Sequence, residues 1–165
     1  MKTLILVRHA EASEGMIDKG RSLTSGGMID AARMAKHLAD KLEGIQVLIA
    51  SSAERTIMTA QVLAEQIGFD FEKHQAVDEL YEGSPRHYLA VVNGLSETTE
   101  KVMIVGHNPS ITYLAEYLSH EQLGNVPTCG VVGITFEHQT WAEVSGRTGK
   151  LAFYDSPDNM VGMSF

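Results

Sequence analysis

Two arginines and two histidines in this 165-residue chain each follow a short run of apolar residues. Arg8-His9 comes after Leu4-Ile5-Leu6-Val7. Ser51-Ser52 and, one helical turn later, Arg55 come after Val47-Leu48-Ile49-Ala50. Gly106-His107 comes after Val102-Met103-Ile104-Val105. Guanidinium forks match phosphate oxygens with paired, charge-assisted hydrogen bonds, each contributing roughly 1.5–3 kcal/mol. A free imidazole has a pKa of about 6.5, so near neutral pH it is a competent nucleophile. Asn108-Pro109 marks a helix start directly after His107, which would add backbone N–H donors and a positive dipole end. Taken singly, a strand-end arginine is ordinarily a surface ion pair, and a histidine before a helix an ordinary cap. Four such residues at strand ends together describe a site for a phosphoryl group.

The elements that would position them follow from periodicity. The three apolar runs are continuous rather than alternating, the pattern of strands buried on both faces of a parallel sheet. Between them lie helical stripes. Thr24 or Ser25 caps a helix whose apolar face is Met28, Ala31, Ala32, Ala35, Leu38, Ala39 and Leu42, stopped at Gly44. Ser52 caps a second helix, from Ala53 to about Ile67, closed by Gly68. Ser84-Pro85 begins a third, with Tyr88, Val91, Val92 and Leu95 inward, and Pro at the first turn where its missing N–H costs nothing. A fourth helix begins at Pro109, with Ile111, Leu114, Ala115 and Leu118 inward. Phe69 to His74 is a weaker strand candidate. Val131 to Phe136 and Lys150 to Tyr154 read as further strands, the second near a sheet edge, and Val161 to Phe165 as a frayed tail. Strands alternating with helices predict an α/β chain with a mostly parallel sheet covered on both faces. In such sheets ligands bind beyond the carboxyl ends of the strands, where the arginines and histidines fall.

Composition narrows the classes. Residues 1–165 suit one domain, with a tail from about 156. The formal net charge is −8, an acidic balance that disfavours nucleic acid and anionic membranes and suits a basic protein partner. No apolar stretch is long enough for a membrane span or signal-peptide core. Cys129 is the only cysteine, so no intrachain disulfide forms, and a reducing cytoplasmic setting is expected. No metal or cofactor is signalled. His120-Glu121-Gln122-Leu123-Gly124 lacks the second histidine of a zinc-protease helix, and there is neither a Walker sequence nor a Gly-x-Gly-x-x-Gly.

Four segments stand in order along the chain: Arg8-His9-Ala10-Glu11-Ala12; Asp18-Lys19-Gly20-Arg21-Ser22-Leu23-Thr24-Ser25-Gly26-Gly27; Ser51-Ser52-Ala53-Glu54-Arg55-Thr56 with Thr59-Ala60; and Val105-Gly106-His107-Asn108-Pro109. Together they resemble the histidine phosphatase superfamily, the phosphoglycerate mutase-like proteins, and within it the small SixA-type phosphohistidine phosphatases. The likeness spans roughly residues 3–155. It implies a three-layer α/β/α fold and a metal-independent phosphatase. His9 would attack phosphorus and become a transient phosphohistidine, while Arg8, Arg55 and His107 would hold the phosphoryl oxygens. Two departures stand out. Ala10 replaces the commoner glycine and needs a negative φ, and Ser22 replaces a proline. The general acid is open. Leu80-Tyr81-Glu82 is similar to the family's acid segment, which implies Glu82, with Glu79 as the alternative. Glu11 reads as a solvated carboxylate. The short chain leaves little for a lid beyond the loop 12–24, so a protein-borne phosphohistidine is the expected substrate. A small phosphate ester is the alternative, and a non-catalytic phosphoryl-binding domain the third reading.

Overall fold

The computed structural model describes residues 1–160. Six strands form one sheet: β1 (Lys2–Arg8), β2 (Val47–Ser51), β3 (Gln75–Val77), β4 (Lys101–Gly106), β5 (Val131–Phe136) and β6 (Lys150–Asp155), in the order β3-β2-β4-β1-β5-β6. The first four run parallel, and β5 and β6 are antiparallel additions at one side. The crossovers between the parallel strands carry α1 (Ser25–His37), the single turn α2 (Ala39–Leu42), α3 (Glu54–Ile67) and α4 (Pro85–Asn93), and α5 (Ser110–Ser119) follows β4.

The continuous apolar runs are explained by two cores, one on each sheet face. In β1, Ile5 and Val7 point towards α1 and α3, while Leu4 and Leu6 point towards α4 and α5. The same alternation holds in β4, with Met103 and Val105 on the first face and Val102 and Ile104 on the second. All eight are wholly buried. At roughly 1.5–3 kcal/mol per buried large side chain, the sheet is the anchor of the molecule. The three-layer α/β/α architecture expected from the sequence is present.

Several local expectations need correction. The inward stripe of α1 uses Ala31, Met34 and Ala35, whereas Met28 is 43% exposed, because the helix turns with Gly27 rather than Met28 facing the core. Thr24 does cap it, accepting from the Gly27 N–H. Ala53, not Ser52, is the residue before α3, and the Ala53 N–H is taken by Ser51 Oγ at 3.2 Å. Gly68 closes α3 in the left-handed region at φ 76°, as expected of a glycine there. Phe69 to His74 is not a strand. Residues Phe71–Lys73 make a 3-10 turn that packs Phe69 and Phe71 against the core, and the strand is the next three residues. Gln75 and Ala76 are exposed at the sheet edge, so β3 has no apolar signature to read. Residues from 156, expected to begin a tail, instead form a 3-10 turn, Pro157–Met160, that buries Met160. Val161 to Phe165 lie outside the described residues. No helix among the described residues is long and apolar enough to cross a membrane.

Candidate active site

A cavity of about 500 Å³ opens at the carboxyl ends of β1, β2 and β4, and Arg8, His9, Arg55 and His107 all line it. The convergence follows from the sheet. Strand β1 lies between β4 and β5, so Arg8 pairs with Gly106, which places His9 beside the residue before His107. The two imidazole centroids are 5.4 Å apart.

His9 is set from its backbone. Its Nδ1 lies 2.7 Å from the Ala10 carbonyl oxygen, and a carbonyl only accepts, so Nδ1 carries the ring proton and Nε2 keeps its lone pair. The Ala10 N–H is held by Thr59 Oγ1 at 3.0 Å, and Cys129 N–H reaches the carbonyls of both Arg8 and His9. Ala10 is wholly buried and is not among the positive-φ residues, so alanine fits where glycine was expected. Burial lowers the His9 pKa to about 4; the Ala10 bond opposes this, and Arg55, Arg8 and Arg21 reinforce it. Desolvation thus outranks the arginines as the cause.

His107 is held by β4 and by two buried hydroxyls. Its backbone N–H donates to Tyr88 Oη at 3.1 Å, and Tyr88 in turn donates to the Leu80 carbonyl at 2.9 Å. The Tyr88 ring fits because position 106 is glycine: a Cβ there would meet it at 2.5 Å. His107 Nε2 is 2.7 Å from Ser51 Oγ. Ser51 is wholly buried, and among the described residues its hydroxyl has no partner besides Ala53 N–H and His107 Nε2, so its proton has only Nε2 to go to and the His107 ring proton sits on Nδ1. Burial lowers the His107 pKa to about 3, reinforced by His9, Arg55 and Arg8 and opposed by Asp18. Both rings are therefore neutral at pH 7.

The arginines are braced differently. Arg8 donates through Nη1 to Val126 O at 2.9 Å, and its Nε is buried without a protein partner. Arg55, only 7% exposed, donates to the Asp18 carbonyl at 2.8 Å and to Asp18 Oδ2 at 3.2 Å. Asp18 also accepts from Tyr81 Oη at 2.6 Å and from Arg21 at 3.0 Å, and these bonds, Tyr81's first, hold its carboxyl well below the usual range. Asp18, Arg21 and Tyr81 line the cavity but did not stand out among the candidate residues. Their signal lay in the Asp18-to-Gly27 and Leu80-to-Glu82 segments. Ser51 and Thr59 stood in the Ser51-to-Ala60 segment of the resemblance, and the four-residue step from Arg55 to Thr59 puts those two on one helix face.

The acid candidates separate. Glu82 is exposed and lines the cavity, on a segment pinned by Ser110 Oγ donating to Gly83 O at 2.6 Å. Glu79, in the 3-10 turn Asp78–Leu80, is exposed and does not line the cavity. The expected donors of the α5 N-terminus are largely engaged: Ile111 N–H bonds His107 O, and Thr112 N–H bonds Asn108 Oδ1. The helix begins at Ser110, one residue later than expected. Among the described residues no group of three or more His, Cys, Asp or Glu side chains is placed to hold a metal ion.

Comparison with known proteins bears on the fold and the family. A protein histidine phosphatase SixA, solved with tungstate, superposes with a TM-score of 0.83 at 21% identity, covering 96% of this chain and 99% of that one. The Agrobacterium tumefaciens protein assigned as a phosphohistidine phosphatase SixA gives 0.79 at 25% identity, over 94% and 98%. An uncharacterized chloroplastic protein of Arabidopsis thaliana is 26% identical over 97% of this chain and 80% of its own length. Residues 4–89 match the family model of the histidine phosphatase superfamily, branch 1, and the chain belongs to that superfamily.

Proposed function

We propose that this chain is a protein phosphohistidine phosphatase that works through a phosphohistidine on His9. One observation carries the reading: His9 presents an unprotonated Nε2 in an open cavity shared with Arg8, Arg55 and His107. In the first step Nε2 attacks phosphorus, the P–Nε2 bond forms and the bond to the leaving nitrogen breaks. A substrate phosphohistidine protonated on its second ring nitrogen departs as neutral imidazole, so it needs no acid from the enzyme. Water then attacks phosphorus, the P–Nε2 bond breaks, and inorganic phosphate leaves. Arg8, Arg55 and the His107 Nδ1–H stabilise the charge on the equatorial oxygens, and losing one such donor costs ~10²–10³ in rate. No step calls on a metal. Residues 1–165 form one domain in this reading, at home in the cytoplasm, where the single free Cys129 stays reduced.

A small phosphomonoester is the second reading, favoured by Glu82 at the cavity wall. An alkoxide must be protonated as it leaves; of the carboxyls lining the cavity, Asp18 is tied to Arg55, Arg21 and Tyr81 and Glu11 accepts from Thr24 Oγ1, which leaves Glu82 as the candidate acid. The test is a rate comparison of a histidine-phosphorylated peptide with a panel of small phosphate esters. We expect His9→Ala to be inactive on both, and Glu82→Gln to slow the esters while sparing phosphohistidine. Undiminished turnover by His9→Ala would remove the nucleophile assignment, and equal losses in Glu82→Gln would remove the leaving-group argument.

A further inference from the structure

The loop from Ser13 to Ser22 carries a feature that the chemistry above does not use. Met16 is wholly exposed and Ile17 is 77% exposed, the two most exposed large apolar side chains among the described residues. Single exposed apolar residues are ordinary, but two adjacent ones on a loop beside a reactive site mark a contact surface.

The loop cannot fold them away, because it is stapled on both sides. At its base Ser13 N–H and Oγ both reach Ser22 O, at 2.8 and 3.1 Å, and Arg21 Nε reaches Ser13 O at 2.7 Å. Ala12 and Leu23 pair below as a bridge. Directly after Ile17, Asp18 is tied to Arg55, Arg21 and Tyr81. The loop is thus held against the catalytic cavity with its apolar tip in solvent.

Met16 and Ile17 do not line that cavity. They line a second, of about 360 Å³, and Arg21 lines both. A ligand confined to the first cavity does not reach them, and a carrier extending beyond it does. Besides Asp18, which is held by Arg55, Arg21 and Tyr81, three exposed carboxylates line these two cavities: Glu11 and Glu82 on the first and Glu14 on the second. A carrier with basic side chains near its phosphoacceptor complements them, in keeping with the −8 charge of the chain.

We propose that the Ser13–Ser22 loop is the docking surface for a protein substrate, with Met16 and Ile17 packing on an apolar patch that flanks the phosphohistidine and is itself edged by lysine or arginine. This rests on the proposed function and adds the surface chemistry of the substrate to it.

The test uses two helical peptides with one phosphohistidine each, flanked one turn away by Leu and Lys in the first and by Ser and Glu in the second, together with free phosphohistidine. We expect the unmodified enzyme to favour the Leu/Lys peptide about tenfold or more in kcat/KM. A Met16→Ser, Ile17→Ser double variant should lose most of that preference while hydrolysing free phosphohistidine at the original rate. No preference in the unmodified enzyme, or a preference that survives the double substitution, overturns the docking proposal alone. Equal loss on the free amino acid also overturns it, since the loop would then act on the site itself. Failure to hydrolyse any phosphohistidine probe would overturn the proposed function instead.

Discussion

Lowering the pH from 7 to 5 should barely affect the catalytic competence of His9 and yet weaken the fold. The His9 pKa lies at about 4 against the ordinary value of 6.5. At pH 5 an ordinary imidazole would be only ~3% neutral, whereas His9 stays ~90% neutral, a difference of about thirtyfold in competent nucleophile. The acid limb of kcat/KM should therefore fall near pH 4, the neutral His107 with its pKa of about 3 adding no earlier step. The stability consequence has the opposite look. A histidine whose folded pKa is depressed binds fewer protons when folded, so its contribution is intact above pH 6.5 and is lost as pH falls from 6.5 through about 4. For His9 alone, going from pH 7 to pH 5 removes about 2 kcal/mol. Initial rates on an acid-stable chromogenic phosphomonoester between pH 4 and 8, corrected for the substrate's own ionisation near pH 6, read the first effect. Urea unfolding of the unmodified protein and of His9→Gln at pH 7 and pH 5 reads the second, because the variant lacks this slope. An acid limb centred between pH 6 and 7, or identical pH slopes of stability in the two proteins, would refute the reasoning.

Two further outcomes are expected. Ser51→Ala should free the His107 tautomer, visible in ¹⁵N correlation spectra as loss of a pure Nδ1–H ring, with kcat about tenfold lower; an unchanged ring signature would show that Ser51 does not set the tautomer. Tyr88→Phe should leave the His107 N–H and the Leu80 carbonyl without their shared hydroxyl and cost about 1–3 kcal/mol, or roughly 2–12 °C in Tm; an unshifted thermal transition would remove Tyr88 as the bridge between the Leu80–Gly83 segment and the site.

The sequence by itself carried the fold class and the meeting of Arg8, His9, Arg55 and His107 at one cavity, and the reason is local. A strand buried on both faces must be apolar throughout, so Leu4–Val7, Val47–Ala50 and Val102–Val105 declare themselves, and in a parallel sheet their carboxyl ends share one edge. Arg8, His9, Arg55 and His107 could be placed together on that ground alone. The elements that escaped are those whose reasons are not local. Strand β3 is an exposed edge held by its pairing with β2. Met160 is buried because a core face is open to receive it.

Only the tertiary structure decided what each site residue is bonded to. Asp18 reaches Arg55 across 37 positions, Ser51 reaches His107 across 56, and Tyr88 reaches the His107 backbone across 19. No periodicity encodes such pairs, because each depends on where two separate elements meet. The tertiary structure likewise separated Glu82, on the cavity wall, from Glu79, three residues earlier in the 3-10 turn Asp78–Leu80 and outside the lining.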